Sequence, residues 1–201
     1  MSQGHLQQQR DYFNALSTQW DSYVNHDARK IDTILSAMAL SARGRIMDVG
    51  CGTGVLVPFL QKYNPALIVE MDISDGMLYQ NRLRHGDEGI QYLCCDAADA
   101  SLALKPFDAV ICYSMFPHFL DKPAAISSLA RRLKPEGKLM IAHSQSWQTI
   151  NGLHTGLGEV VKGHRLPSQK DISAWMQEAG LLPYVAMDDE EIFFVCGRLP
   201  K

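Results

Sequence analysis

The stretch Asp48-Val49-Gly50-Cys51-Gly52-Thr53-Gly54 decides the fold. It follows a short apolar run at 45–49 and precedes an apolar segment at 55–60 that begins a helix. Glycines at a strand-to-helix turn permit a tight reversal and close approach of backbone to a ligand. The N–H groups that open the helix can face a carboxylate or a phosphate. A Gly-x-Gly-x-x-Gly dinucleotide fingerprint starting at Gly50 needs glycine at 55, where Val55 stands. The glycines fall instead at 50, 52 and 54, with Asp48 two residues before the first. An acid at that strand end sits badly beside a pyrophosphate and well beside an ammonium group.

On either side of this loop, short apolar runs alternate with longer helical stretches. That pattern predicts an α/β fold with a largely parallel sheet. Strands are expected at 45–49, 66–73, 90–95, 107–112 and 138–143, with two late strands at 182–187 and 192–196. Phe13, Leu16, Trp20 and Val24 recur at i, i+3, i+7 and i+11 and predict one continuous N-terminal helix. Further helices are expected around Ile31–Met38, after Ser74, over 121–133 and over 171–179, the last ended by Gly180. The stretch 144–168 carries Gly152, Gly156, Gly158 and Gly163 without a strand pattern. It reads as an insertion over the sheet's C-terminal edge, with a short helix at 147–154 capped by Ser146. That helix is expected to pack Ile150, Leu153 and Leu157 on the body and to turn Trp147, Asn151 and His154 towards the cleft.

Two more acids stand at strand ends. Asp72 closes the second strand and can accept hydrogen bonds from both hydroxyls of a ribose. Ile73 and Met77 follow and can sandwich a purine. Asp96, in Cys95-Asp96-Ala97, follows the third strand and can accept from an exocyclic amine. One molecule carries an amino-acid head, a ribose and an adenine together: S-adenosylmethionine.

At these residues the chain resembles the class I S-adenosylmethionine-dependent methyltransferases of the small single-domain type. The matching segments are 48–54, 68–78, 95–97, 107–119 and 133–139, in the family order, within residues 45–143, about half the chain. The resemblance implies a Rossmann-like three-layer sandwich with a seven-stranded, mostly parallel sheet and an antiparallel last strand. It implies a cofactor site of Asp48, Gly50, Cys51, Gly52, Gly54, Asp72, Ile73, Met77, Asp96, Ala97 and Tyr113, with Tyr113 against the methionine part. Two departures are visible. The turn before strand five reads Pro135-Glu136-Gly137, with one glycine where two are usual. Pro117 stands where many relatives have a second histidine beside His118.

Methyl transfer from a sulfonium is an in-line displacement in which the cofactor supplies the reactive carbon. The protein aligns the nucleophile, excludes water and in some cases takes a proton. His118, His143 and His154 are the candidate catalytic residues, with His164 in the same insertion. Each imidazole can act as a base or hold a substrate. Each also has a plainer reading, as a packed strand-end or an exposed loop residue. A metal held by these histidines is a weaker alternative, since the reaction requires none in principle. Trp20 and Tyr23 are expected either to close over the cofactor or merely to cover the sheet.

The 201 residues suit one domain, here 1–201, with an N-terminal helical cap at 5–40 and the insertion at 144–168 as a lid. Hydrophobic residues make up 46% and charged residues 20%, which argues against a disordered chain. A net charge of −3 gives no general pull towards nucleic acid or anionic membrane. No apolar run reaches the roughly 18 residues of a membrane span, and residues 1–10 lack a signal-peptide layout. Five cysteines, an odd number in mostly apolar runs, read as reduced thiols in a cytoplasmic protein. The expectation is therefore a cytoplasmic methyltransferase, monomeric or homodimeric, acting on a small molecule and not on nucleic acid or membrane. A non-catalytic S-adenosylmethionine sensor and a protein or RNA methyltransferase remain as alternatives.

Overall fold

The computed structural model describes residues 3–99, 101–153 and 164–201. Seven strands form one sheet in the order β3-β2-β1-β4-β5-β7-β6. They are β1 (Arg45–Val49), β2 (Leu67–Asp72), β3 (Ile90–Cys94), β4 (Phe107–Tyr113), β5 (Leu133–His143), β6 (Leu182–Asp188) and β7 (Phe193–Arg198). Strands β1 to β5 run parallel, and β7 runs antiparallel to both β5 and β6. The expected architecture, including the antiparallel last strand, is the one found.

Apolar residues occupy both faces of the central strands, which is why these strands read as continuous apolar runs. Successive side chains point to opposite faces. Met47, Val69, Val110 and Leu139 enter one core, with Ile126 and Leu129 of α6 (Lys122–Ala130) and Ile172 and Met176 of α8 (Gln169–Glu178). Ile46, Ile68, Ile111 and Met140 enter the other, with Ile31, Ile34, Leu35 and Met38 of α3 (Ala28–Met38) and Leu60 of α4 (Val57–Gln61). Side-chain caps set helix starts: Asp27 for α3, Ser74 for α5 (Asp75–His85), Asp121 for α6 and Ser168 for α8 accept from backbone N–H groups. Among the described residues no helix is long and apolar enough to cross a membrane.

Three local expectations are corrected. The N-terminal helix is not continuous: α1 (Gln3–Leu16) ends, and α2 (Trp20–Tyr23) is a single turn. The Ser17 hydroxyl donates to the Asn14 carbonyl at 2.9 Å, an alternative to the helical ladder. Val24 is already extended. Strand β5 starts at Leu133, not at 138. Pro135-Glu136-Gly137 forms an irregularity inside it, where the pairing jumps from Phe107↔Leu133 to Ala109↔Lys138. A Cβ on Gly137 would lie 2.8 Å from the Lys134 carbonyl oxygen, so glycine is required at this point. Finally, α7 (Trp147–Leu153) is capped by Ser146 as expected, but its polar face is spent on the chain itself. Asn151 Nδ2 donates to Leu166 O at 3.1 Å, and Leu166 N donates back to Asn151 Oδ1 at 2.9 Å. Trp147 Nε1 donates to the same carbonyl.

Candidate active site

Strand order reverses between β1 and β4, and ligands in open α/β sheets bind outside the carboxyl ends at such a point. A cavity of about 300 Å³ lies there. Its floor comes from the strand ends and its roof from the N-terminal segment. Arg10 of α1 donates through Nε to Ile73 O at 2.8 Å, and Gln9 Nε2 donates to His118 O at 3.1 Å. The Asn14 amide spans Ser74, Asp75 and Gly76 at the start of α5. Thr53 in the glycine loop donates to Asp21, which also pairs with Arg84.

The three loop glycines have different physical reasons. All have positive φ, a region where a Cβ is strained. A Cβ on Gly50 would collide with Met115 at 2.6 Å, and one on Gly54 with Asn81 at 2.3 Å. A Cβ on Gly52 would meet only Trp20 Nε1 at 3.7 Å, so Gly52 faces the cavity. Gly54 is not on the cavity wall. It answers to packing against Asn81. Asp48, Gly50, Cys51, Gly52, Asp72, Ile73, Met77, Asp96, Ala97 and Tyr113 all line this one cavity.

Three carboxylates are buried around the loop. Asp48 is 1% exposed, and burial, reinforced by the charges of Glu70 and Asp72, pushes its carboxyl well above the usual range. Glu70 has no exposed surface; burial raises it to about 7, although Asn81 Nδ2 donates to its Oε2 at 2.7 Å. Asp72 is also raised by burial, against the hydrogen bonds it accepts from Gly52 N and Ser74 N, each at 2.9 Å. Asp72 therefore ties the glycine loop to the start of α5 as well as facing the cavity. Among the described residues no lysine or arginine pairs with any of the three. Asp48 Oδ2 and Glu70 Oε1 meet no donor there. Such a site suits a ligand that brings positive charge.

The other end of the cavity is apolar and aromatic. Phe13 stands edge-on between Trp20 and His118, with ring centroids 5.7 and 5.4 Å away. His118 lies on the cavity wall. His143, at the end of β5, is 1% exposed, packs near Phe193 and is not among the lining residues. His154 lies outside the described residues. Trp20 lines the cavity, while Tyr23 is 63% exposed and does not.

Sequence reasoning missed His5, Gln9 and His26 on the cavity wall, and the buried Glu70 off it. His5, Gln9 and Phe13 fall at i, i+4 and i+8 on α1, so one stripe of that helix faces the cavity, and its spacing was the available signal. His26 Nδ1 lies 3.0 Å from Tyr113 Oη, and burial lowers this imidazole, which keeps it neutral at physiological pH. Nothing local marks His26, since it sits between helices.

Residues 47–141 match the family described as a methyltransferase domain. The chain is 31% identical to a malonyl-[acyl-carrier protein] O-methyltransferase of Acetivibrio thermocellus, over 71% of this chain and 51% of that protein. It is 28% identical to a ubiquinone biosynthesis O-methyltransferase of Xylella fastidiosa, over 90% of this chain and 80% of that one. The chain thus spans about half the length of the first relative. In fold it is similar to a TehB-like S-adenosylmethionine-dependent methyltransferase from Corynebacterium glutamicum. That likeness has a TM-score of 0.67 at 15% identity and covers 95% of this chain and 99% of the other.

Proposed function

We propose that this chain, which matches a methyltransferase domain over residues 47–141, is a class I S-adenosylmethionine-dependent methyltransferase that transfers a methyl group from S-adenosylmethionine to an oxygen of a small-molecule acceptor. One observation carries this reading. A single cavity joins a carboxylate-rich end at Asp48 and Asp72 to an apolar, imidazole-bearing end at Phe13 and His118. S-adenosylmethionine, when bound, supplies an electrophilic methyl on a cationic sulfur. Its positive charge fits a site where Asp48, Glu70 and Asp72 are buried without a cation among the described residues.

Asp48 and the turn at Gly50, Cys51 and Gly52 would hold the amino-acid head, Asp72 the ribose hydroxyls, and Ile73, Met77, Asp96 and Ala97 the adenine. The Asp72 oxygens each accept one backbone N–H and retain lone pairs for further donors. The α1 roof would exclude water from the transfer, and His118 would face the acceptor. The oxygen acceptor is supported by the O-methyltransferases among the relatives. The compact cavity, at the lower end of the usual range of roughly 300–1,000 Å³, favours a small acceptor over a macromolecule.

Calorimetry with S-adenosylmethionine, S-adenosylhomocysteine and NAD tests the cofactor. Binding of the first two and poor binding of NAD is expected, and a preference for NAD would overturn the reading. Release of S-adenosylhomocysteine on incubation with a metabolite pool then tests the reaction. Tight cofactor binding without turnover across broad pools would favour a sensor.

A further inference from the structure

Glu70 is a buried acid to which the reading above gives no contact with a ligand. It stands opposite Asp48 in the parallel pairing of β2 with β1, and Asp72 follows two residues on, on the same face of the sheet. Asp48 and Asp72 reach the cavity wall, while Glu70 lies off it with no exposed surface. Asp48 is 1% exposed, and its Oδ2 meets no donor among the described residues. The same holds for Oε1 of Glu70.

The groups that face Glu70 bring it no positive charge. From α5, Asn81 Nδ2 donates to Oε2 at 2.7 Å. Farther along α5, Arg84 is committed to Asp21 and to Thr53 O, and burial holds His85 below its usual range. From β1 comes Asp48, and from β2 itself Asp72. The glycine loop contributes the Cys51 thiol, pushed up by burial first and by the Glu70 charge second. Strand β3 contributes Tyr92, raised to about 12 by the same two causes in the same order. Two carboxyls set opposite each other titrate as a unit, so an ionised Asp48 favours a protonated Glu70. A positive charge brought in from outside lets more of them ionise.

S-adenosylmethionine brings such a charge. Its sulfonium sulfur joins the amino-acid chain to the ribose, so it belongs between the groups assigned to Asp48 and to Asp72. S-adenosylhomocysteine has the same head and the same ribose, but its sulfur is neutral. A buried carboxyl senses that difference without contact, because charges act over longer distances in a low-dielectric interior. We propose that Glu70 lets the site tell the charged cofactor from its neutral product: the sulfonium draws the carboxyl into its ionised form, and the carboxylate so formed strengthens the hold on the sulfonium. This rests on the methyltransferase reading above. The Glu70 O–H bond breaks, its electron pair stays on the oxygen, and the proton passes to solvent. Once the methyl has left and the sulfur is neutral, the carboxylate takes a proton back from solvent and the hold weakens. Glu70 touches neither ligand; it is a positioning residue that acts by its charge from behind Asp48.

The test is calorimetry of the whole chain with S-adenosylmethionine and S-adenosylhomocysteine at pH 5.5 and pH 7.0. In this range the ligands' ammonium groups stay mostly charged, since an α-amino group titrates near about 8. If the sulfonium lowers the carboxyl's titration by about one pH unit, the preference for cofactor over product should rise about fourfold from the lower pH to the higher. Glu70→Gln keeps the shape and the acceptor for Asn81 but cannot ionise, and its preference should be the same at both pH values. A preference that does not change with pH in the wild-type protein would overturn the proposal. So would an equal rise in Glu70→Gln, which would assign the proton to Asp48 or Asp72. A second measurement needs no variant: at pH 6.5, titration in two buffers of different ionisation enthalpy should show about half a proton more released by cofactor than by product. Equal release by the two ligands would also overturn the proposal. Both ligands binding with a preference independent of pH removes the role of Glu70 and leaves the methyltransferase reading intact; binding of neither removes that reading itself.

Discussion

Replacing Glu70 by Gln should make the protein more stable, and the gain should depend on pH. Glu70 lies in β2 between Val69 and Met71, with no exposed surface, an amide from Asn81 on one oxygen and no donor among the described residues on the other. A carboxyl that titrates near 7 in the fold against 4.5 in the unfolded chain costs the fold about 3 kcal/mol once it is ionised. The sign follows from proton counts. Between pH 4.5 and 7 the unfolded chain has released the proton and the folded one has kept it, so stability falls as pH rises through this window. Above it the full cost is present. Of the total, about 2 kcal/mol is lost between about pH 5.5 and pH 8. Glu70→Gln keeps the shape and the acceptor for Asn81 but cannot ionise. Its stability relative to wild type should therefore be about 2 kcal/mol greater at pH 8 than at pH 5.5, about 4–8 °C in melting temperature for a chain of this size. Taking the difference between the two pH values removes any fixed cost of the amide. Urea unfolding of both proteins at both pH values measures it. An equal difference at pH 5.5 and pH 8 would refute the assignment of Glu70 as a carboxyl held neutral by burial.

Asp72→Ala should weaken S-adenosylhomocysteine binding by about 1–3 kcal/mol, the worth of hydrogen bonds to a charged group, as read by calorimetry. Because the carboxylate also holds Gly52 N and Ser74 N, amide exchange in the glycine loop should quicken as well. Gly52→Val should impair binding more than Asp72→Ala, since its side chain would enter the cavity and its φ of +53° is strained for valine; an unchanged dissociation constant would show that the loop does not meet the ligand. His118→Ala should lower turnover by about 10²–10⁴-fold at saturating cofactor, with cofactor affinity little changed, if it takes the acceptor's proton. His143→Ala, buried away from the cavity wall, should leave turnover near normal and lower the melting temperature instead.

The sequence by itself determined the sheet and one end of the site. Strands at the centre of a doubly covered sheet must be apolar on both faces, so runs such as 107–112 declare themselves without any tertiary knowledge. The glycine turn and the strand-end acids were legible for the same reason: each is a local demand, of backbone conformation or of charge at a fixed offset from a strand. What only the tertiary structure decided depends on which face meets which. Gly54 carries the same motif spacing as Gly52, yet it faces Asn81 rather than the cavity. Asn151 looked like a group for the cleft and proved to be a clamp on the Leu166 backbone. Glu70 was hidden in an apolar run, because its consequence comes from burial beside Asp48, its partner on the neighbouring strand β1, and Asp72, two residues on in β2. The pairing of His118 with His164 joins rings 46 positions apart in the chain. No local periodicity encodes such a contact, since the two residues lie on separate segments that only the tertiary fold brings together.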